Sequence, residues 1–290
     1  MTQLTLKNEK LSVGILPECG GSLSFFKYQE KDILRPSDLN ETEANNTSLF
    51  PMIPYTSFIS DGHFPYFGIT RNVPTNSPIS KYPMHGDIWR SKLKVVDQSS
   101  TSVELQVVHK KSEGFPFDYT ANVIYTLDGE NLLVTLKLQN NTSLPMPYGL
   151  GLHPFFKLNK STKIKYNAQN IWFRGGDPIL GHPYVIPPAL DFSKARSLPH
   201  TTLDISVDNW DGMAEIIDDS YTLKITADET FGHLIVHVPR GKNFFCLEPV
   251  SHTPDAFNLA AQGIVGTGIQ SLGPQQSVSH TITFSLKGNQ

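Results

Sequence analysis

Four short segments of this 290-residue chain set an ionisable side chain among aromatic and turn residues in ways that plain strands do not need. They are Tyr82–Arg90 (YPMHGDIWR), Tyr148–Phe156 (YGLGLHPFF), Leu203–Gly212 (LDISVDNWDG) and Phe244–Asn258 (FFCLEPVSHTPDAFN). His153 follows an apolar run containing glycine and precedes Pro154, which disfavours helix at His153, so a strand is expected to end there with the imidazole at a sheet rim. Phe155 and Phe156 then stand ready to wall a pocket. An imidazole in such a place can pass a proton near neutral pH; a histidine hydrogen-bonded purely within the structure is the competing reading. Glu248 ends the apolar run Phe244-Phe245-Cys246-Leu247 and meets Pro249. A carboxylate there is either desolvated in a cleft, which raises its pKa and makes it a better base, or part of a rim salt bridge. His85 precedes Gly86, with Trp89 and Arg90 close behind. An aromatic ring beside polar donors suits sugars, whose apolar face packs on the ring while hydroxyls take hydrogen bonds; a Trp in a loop before a strand is more often a core residue.

Other chemistries lack their signatures. There is no Gly-x-Ser-x-Gly elbow, no Walker A loop, no GxGxxG turn and no HExxH. His233 and His237 fall in strand-like sequence, where positions i and i+4 share a face about 13 Å apart, too far for one metal without bending. No metal and no cofactor is expected. Cys19 and Cys246, the two cysteines, make no disulfide framework and no CxxC zinc spacing. A net charge of −3 and a pI near 6.4 give no electrostatic case for nucleic acid or an anionic membrane. Met1–Lys10 lacks the apolar core of a signal peptide and no run approaches a bilayer span, so a reducing cytoplasm is the expected location.

The elements that must position these residues read as strands. Val103, Leu105 and Val107 alternate with polar residues, as do Tyr119, Ala121, Val123, Tyr125 and Leu127. Asp128-Gly129 offers a turn, after which Leu132, Val134, Leu136 and Leu138 resume the period. Tyr221, Leu223 and Ile225, then Leu234, Val236 and Val238, and finally Val278, Ile282, Phe284 and Leu286 continue it. Period-2 alternation puts one side of each strand in the core and the other toward water or a cleft. Sustained helical stripes are missing, and 21 Pro with 21 Gly punctuate the chain. A single all-β domain over 1–290, a large antiparallel β-sandwich, is therefore expected. Residues 37–47 read as a short helix or surface loop, and 175–199 as a long Pro/Gly-rich excursion.

Together the four segments resemble the aldose 1-epimerase (galactose mutarotase) family, its shorter bacterial members in particular. The likeness runs from Leu11–Gly21 (LSVGILPECGG) through Phe50–Phe64 (FPMIPYTSFISDGHF) to the last strand. Its most specific parts are His85-Gly86 with Trp89, the run GLHPFF at 151–156, and LEPVSH at 247–252 leading to PDAFN at 254–258. The resemblance implies a galactose mutarotase-like supersandwich with an open cleft, and interconversion of the α and β anomers of an aldose, a small-molecule sugar, without cofactor. It implies Glu248 as general base and His153 as general acid. His85 would bond the ring or anomeric region and Asp204 the sugar hydroxyls, with Asp208 and Asp211 as alternatives to Asp204; Trp89 and Tyr55 are further expected sugar contacts. Oligomeric state is left open.

One departure stands out. The family commonly carries Asn-Arg where this chain has Ser57-Phe58, which removes a charged donor beside the sugar. Arg71, Arg90 and Arg174 are the candidates to replace it. The segment after His85-Gly86 also lacks the Ala-Arg continuation of the branch that acts on hexose 6-phosphates, which favours a neutral sugar. The alternatives are a hexose-6-phosphate 1-epimerase and a catalytically silent sugar-binding protein, the latter favoured by Phe58 and opposed by the retained Glu248 and His153.

Overall fold

Strand pairing in the computed structural model, which describes residues 3–111, 114–173, 181–199 and 201–289, is antiparallel in every ladder. The described residues form an eleven-stranded sheet, a nine-stranded sheet and two small two-stranded ribbons. The alternating segments become strands Ser102–His109, Tyr119–Asp128, Asn131–Asn140, Tyr221–Ala227 and Ser277–Gly288 in the nine-stranded sheet, and His233–Val238 in the eleven-stranded one. Tyr119–Asp128 and Asn131–Asn140 pair across the Gly129 turn, with Val123 opposite Leu136. Apolar residues on one face are buried while their neighbours stay half-exposed, as the period requires.

The two sheets pack through one continuous core. Leu152, Phe156, Phe245 and Leu247 of the larger sheet share it with Val123, Leu136, Ile225 and Phe284 of the smaller, and the rings of Phe156 and Phe284 lie 6.4 Å apart. Among the described residues helix is confined to Ala256–Ala261 and a few single turns. Within 37–47 only Ala44–Asn46 closes a turn of 3-10 helix. Of the 175–199 excursion, 181–199 is described and holds two two-residue strands and another 3-10 turn. No helix among the described residues is long and apolar enough to cross a membrane.

The larger sheet carries the site. In spatial order its relevant strands are Leu49–Met52, Gly151–Lys157, Phe244–Val250, His233–Val238 and Leu203–Asp208. Neither His153 nor Glu248 ends a strand, contrary to the reading from Pro154 and Pro249; each lies mid-strand. The prolines instead act on the ladder. Gly151 pairs with Val250, and Phe155–Lys157 pair with Cys246–Phe244, and the register of this ladder passes over the positions between. Pro154 and Pro249 have no N–H to donate there. Continuing the register places His153 opposite Glu248 in that gap.

Candidate active site

Side chains on one face of the larger sheet fall into two rows across the strands. Phe50, His153, Glu248 and Ile235 form one, by the pairings His153 with Phe50 and Ile235 with Glu248. Phe155, Cys246, His237 and Asp204 form the other, by Phe155 with Cys246, His237 with Cys246, and Asp204 with His237. Along each strand the rows are two residues apart, hence about 7 Å. Loops bring Arg35, Asn45, Ser57, Ile79, Met84 and His85 over this floor, enclosing a cleft of about 450 Å³.

His153 Nε2 lies 3.4 Å from Glu248 Oε1, with side chains 12% and 3% exposed. The imidazole is held between the rings of Phe50 and Phe155, at 4.5 and 4.6 Å between centroids, and the His85 ring meets it edge-on at 5.3 Å. Such packing leaves the ring one orientation, aimed at the carboxylate. Burial pushes the pKa of His153 well below its ordinary value, and His85, His237 and Arg35 push the same way, so the free cleft holds it neutral.

His85 reaches the cleft through a left-handed turn. Its φ is 60° and that of Gly86 is 71°. A Cβ on Gly86 would stand 2.0 Å from the Ile53 carbonyl oxygen, so only glycine fits. The His85 amide donates to Ser57 O at 2.6 Å, and Trp89 Nε1 donates to Gly86 O at 2.9 Å. Trp89 is 1% exposed and stacks on Phe50. It braces the His85 loop from beneath and does not line the cleft, which corrects the expected sugar contact. Tyr55 is corrected likewise: it is fully buried among Phe115 and Phe257, on the far side of its loop from the cleft lining. In both cases the apolar ring area decides, because burying it outweighs any one polar contact at the rim.

Asp204 lines the cleft, 26% exposed, with Oδ1 3.8 Å from His237 Nδ1. Asp208 does not: it is buried and accepts from Trp172 Nε1 and Asn170 Nδ2. Asp211 is exposed and accepts from Asn167. His237 was not singled out from the sequence as a cleft residue, although it shares a face with Ile235, two residues back.

The charged donor comes from an unexpected place. Arg71 lies over Phe117, and Arg90 pairs with Glu43 at 3.8 Å; neither lines the cleft. Arg174 is outside the described residues. Arg35 lines the cleft instead, its guanidinium 3.6 Å from the Phe155 ring centre and 4.4 Å from that of Phe244, its Nε donating to Thr47 O. Phe58 turns away and stacks on Tyr82 at 5.7 Å, while Ser57 faces the cleft. No periodic signal marks Arg35, which follows Ile33-Leu34 in a loop.

The family model for aldose 1-epimerase matches residues 2–285. The chain belongs to the aldose 1-epimerase family. Protein YphB of Escherichia coli K12, itself of uncharacterised function, is 27% identical over 99% of both chains. A solved Escherichia coli K12 structure provisionally described as an aldose 1-epimerase superposes with a TM-score of 0.91, at 25% identity over 99% of both chains. A galactose mutarotase-like protein of Clostridium acetobutylicum, 18% identical over 98% of this chain and 95% of its own, gives 0.85. This family member thus has the galactose mutarotase-like all-β fold, and the pair at the cleft floor sits on its central strands.

Proposed function

We propose that the chain is an aldose 1-epimerase that interconverts the α and β anomers of an uncharged aldose, with Glu248 and His153 as its proton-transfer pair. The contact of 3.4 Å between them carries the reading. Opening a hemiacetal ring removes a proton from the anomeric hydroxyl and delivers one to the ring oxygen. Both oxygens hang on one carbon, so acid and base must be near neighbours on the same wall. Glu248 takes the hydroxyl proton, and His153, neutral in the free cleft and protonated beside that carboxylate once sugar is bound, gives one to the ring oxygen. The C1–C2 bond then turns, and the reverse transfers close the ring on the other face. His85, edge-on to His153, stands where it can bond the same oxygens. Asp204, His237 and Arg35 hold hydroxyls further along the cleft.

An uncharged sugar suits the charges present. Two carboxylates, Glu248 and Asp204, face one guanidinium, Arg35, and would repel a phosphate more than that single cation could hold it. Anomeric exchange followed by NMR, over a panel of aldoses and their 6-phosphates, is the test. Acceleration on an uncharged aldose is expected, falling about a hundred- to ten-thousand-fold in Glu248→Gln while sugar still binds. Near-native rates in Glu248→Gln would remove that residue from the chemistry. Binding without exchange across the panel would make the protein a silent sugar binder.

A further inference from the structure

The pair that handles protons has a third neighbour with different chemistry. In the strand Phe244–Val250, Phe245 and Leu247 point into the main core, while Phe244, Cys246 and Glu248 share the cleft-side face. Cys246 is fully buried and a free thiol. One donor atom each from His153, Cys246 and Glu248 lie within 4.8 Å of one another. No local pattern announces this, because the proximity of His153 exists only through pairing of distant strands.

We infer that His153, Cys246 and Glu248 form a binding site for a thiophilic divalent cation, zinc above all, and that its occupation switches off the proton-transfer pair. A thiolate, an imidazole and a carboxylate are the donors zinc takes, and a sulfur donor selects against magnesium and calcium. With zinc–ligand bonds of about 2.0–2.3 Å, tetrahedral donors stand roughly 3.3–3.6 Å apart, so the trio closes by at most about 1.5 Å to reach that geometry. His153 and Glu248 line the cleft, which leaves the fourth position open on that side for water or an anion. Binding forms one bond each to Sγ, a ring nitrogen and a carboxylate oxygen, releases the thiol proton and hydration water to solvent, and involves no change of oxidation state. The cation then occupies the same nitrogen and oxygen that must exchange protons with a sugar, so it inhibits rather than assists.

The site itself does not depend on the epimerase reading; only the inhibition does, and the two are separable. Cobalt(II) titrated into the metal-free full-length protein is expected to give a thiolate-to-cobalt charge-transfer band that saturates at one equivalent and is displaced by zinc. Cys246→Ala is expected to abolish the band and to weaken zinc binding about 10–100-fold or more. Anomeric exchange by the wild-type protein is expected to stop at saturating zinc, and that by Cys246→Ala to continue. A crystal soaked in zinc chloride, with an anomalous peak in bonding range of all three residues, decides the matter even where the variant does not fold. No charge-transfer band, a band that survives in Cys246→Ala, or an anomalous peak elsewhere would overturn the site. A band without any exchange activity would leave the site standing and sink the epimerase reading instead.

Discussion

The two large sheets of this protein bury their strands differently. In the nine-stranded sheet, Tyr119–Asp128 and Asn131–Asn140 alternate cleanly between buried and half-exposed residues. In the eleven-stranded sheet, six of the seven residues in Phe244–Val250 are buried, and Leu203–Asp208 and His233–Val238 each have a single half-exposed residue. The first sheet shows one face to water; the second is covered on both, by the core beneath and by the loops carrying Arg35, Ser57 and His85 above. A polar side chain on the first sheet stays solvated and does little. On the second it is desolvated and fixed, which is the condition for proton transfer at a tuned pKa. Stability and chemistry should therefore separate by sheet.

The sharpest way to break that separation is His153→Asn. Asparagine keeps a polar group of similar reach but carries no titratable ring, so kcat for anomer exchange should fall about a hundred- to ten-thousand-fold, with KM changing far less. Its thermal midpoint should stay close to wild type, because Phe50 and Phe155, their ring centres 6.1 Å apart, still form the wall. An equal loss through KM would show that the ring merely binds sugar. The complement is Leu136→Ala on the other sheet. Leu136 is fully buried opposite Val123, so truncation should cost about 2–5 kcal/mol in chemical denaturation while exchange per folded molecule is unchanged. A large rate loss there would mean the sheets act as one catalytic unit.

The same contrast explains what could be read from the sequence. Of the strands named from alternation, those at 103–107, 119–127, 132–138, 221–225 and 278–286 lie in the nine-stranded sheet, where one wet face imposes the period, and that at 234–238 lies in the other. In the site-bearing sheet the period is blurred by two-sided burial, and Pro154 and Pro249 read as strand ends when they are gaps in a ladder. The preference for Asp204 over Asp208 comes from the resemblance alone, and it takes the fold to show that Trp172 and Asn170 hold the latter. Arg35 stands far in sequence from Phe155 and Phe244, whose rings it lies against, and no local pattern announces it.

Acid should find the covered sheet first. His252 lies fully buried just past the Phe244–Val250 strand, accepting from the Thr56 amide at 3.0 Å through Nε2, with Nδ1 2.7 Å from Thr253 O. Burial lowers its pKa to about 4, and burial likewise lowers those of His153 and His233. A lowered folded-state value means the unfolded chain binds more protons below the ordinary histidine value, so stability rises with pH over that interval and is lost on acidification. The His252 contribution is fully present above about pH 6.5, is lost as pH falls toward about 4, and amounts to about 3 kcal/mol for that residue. Denaturation midpoints measured from pH 8 to pH 4 should show this decline, and His252→Gln should flatten it. A profile unchanged in that variant would place the acid sensitivity elsewhere.

The smallest effect falls on Tyr55, and it tests the boundary between the regions. Its ring packs with Phe64's neighbours Phe115 and Phe257, and its buried hydroxyl makes no well-formed hydrogen bond, only a loose approach by the Gly86 backbone. Burial raises the hydroxyl's pKa well above the ordinary value, so it stays protonated throughout the working range. A sugar-binding role would make the hydroxyl matter: removing a donor that meets substrate typically costs about 1–3 kcal/mol and would appear in KM. A core role predicts the reverse. Tyr55→Phe removes a polar atom that gains little from its surroundings and leaves the ring in place, so stability should move by less than about 1 kcal/mol, in either direction, with kcat and KM unchanged. A raised KM would bring Tyr55 back into the site through a rearrangement of the loop that carries Ser57 and Phe58.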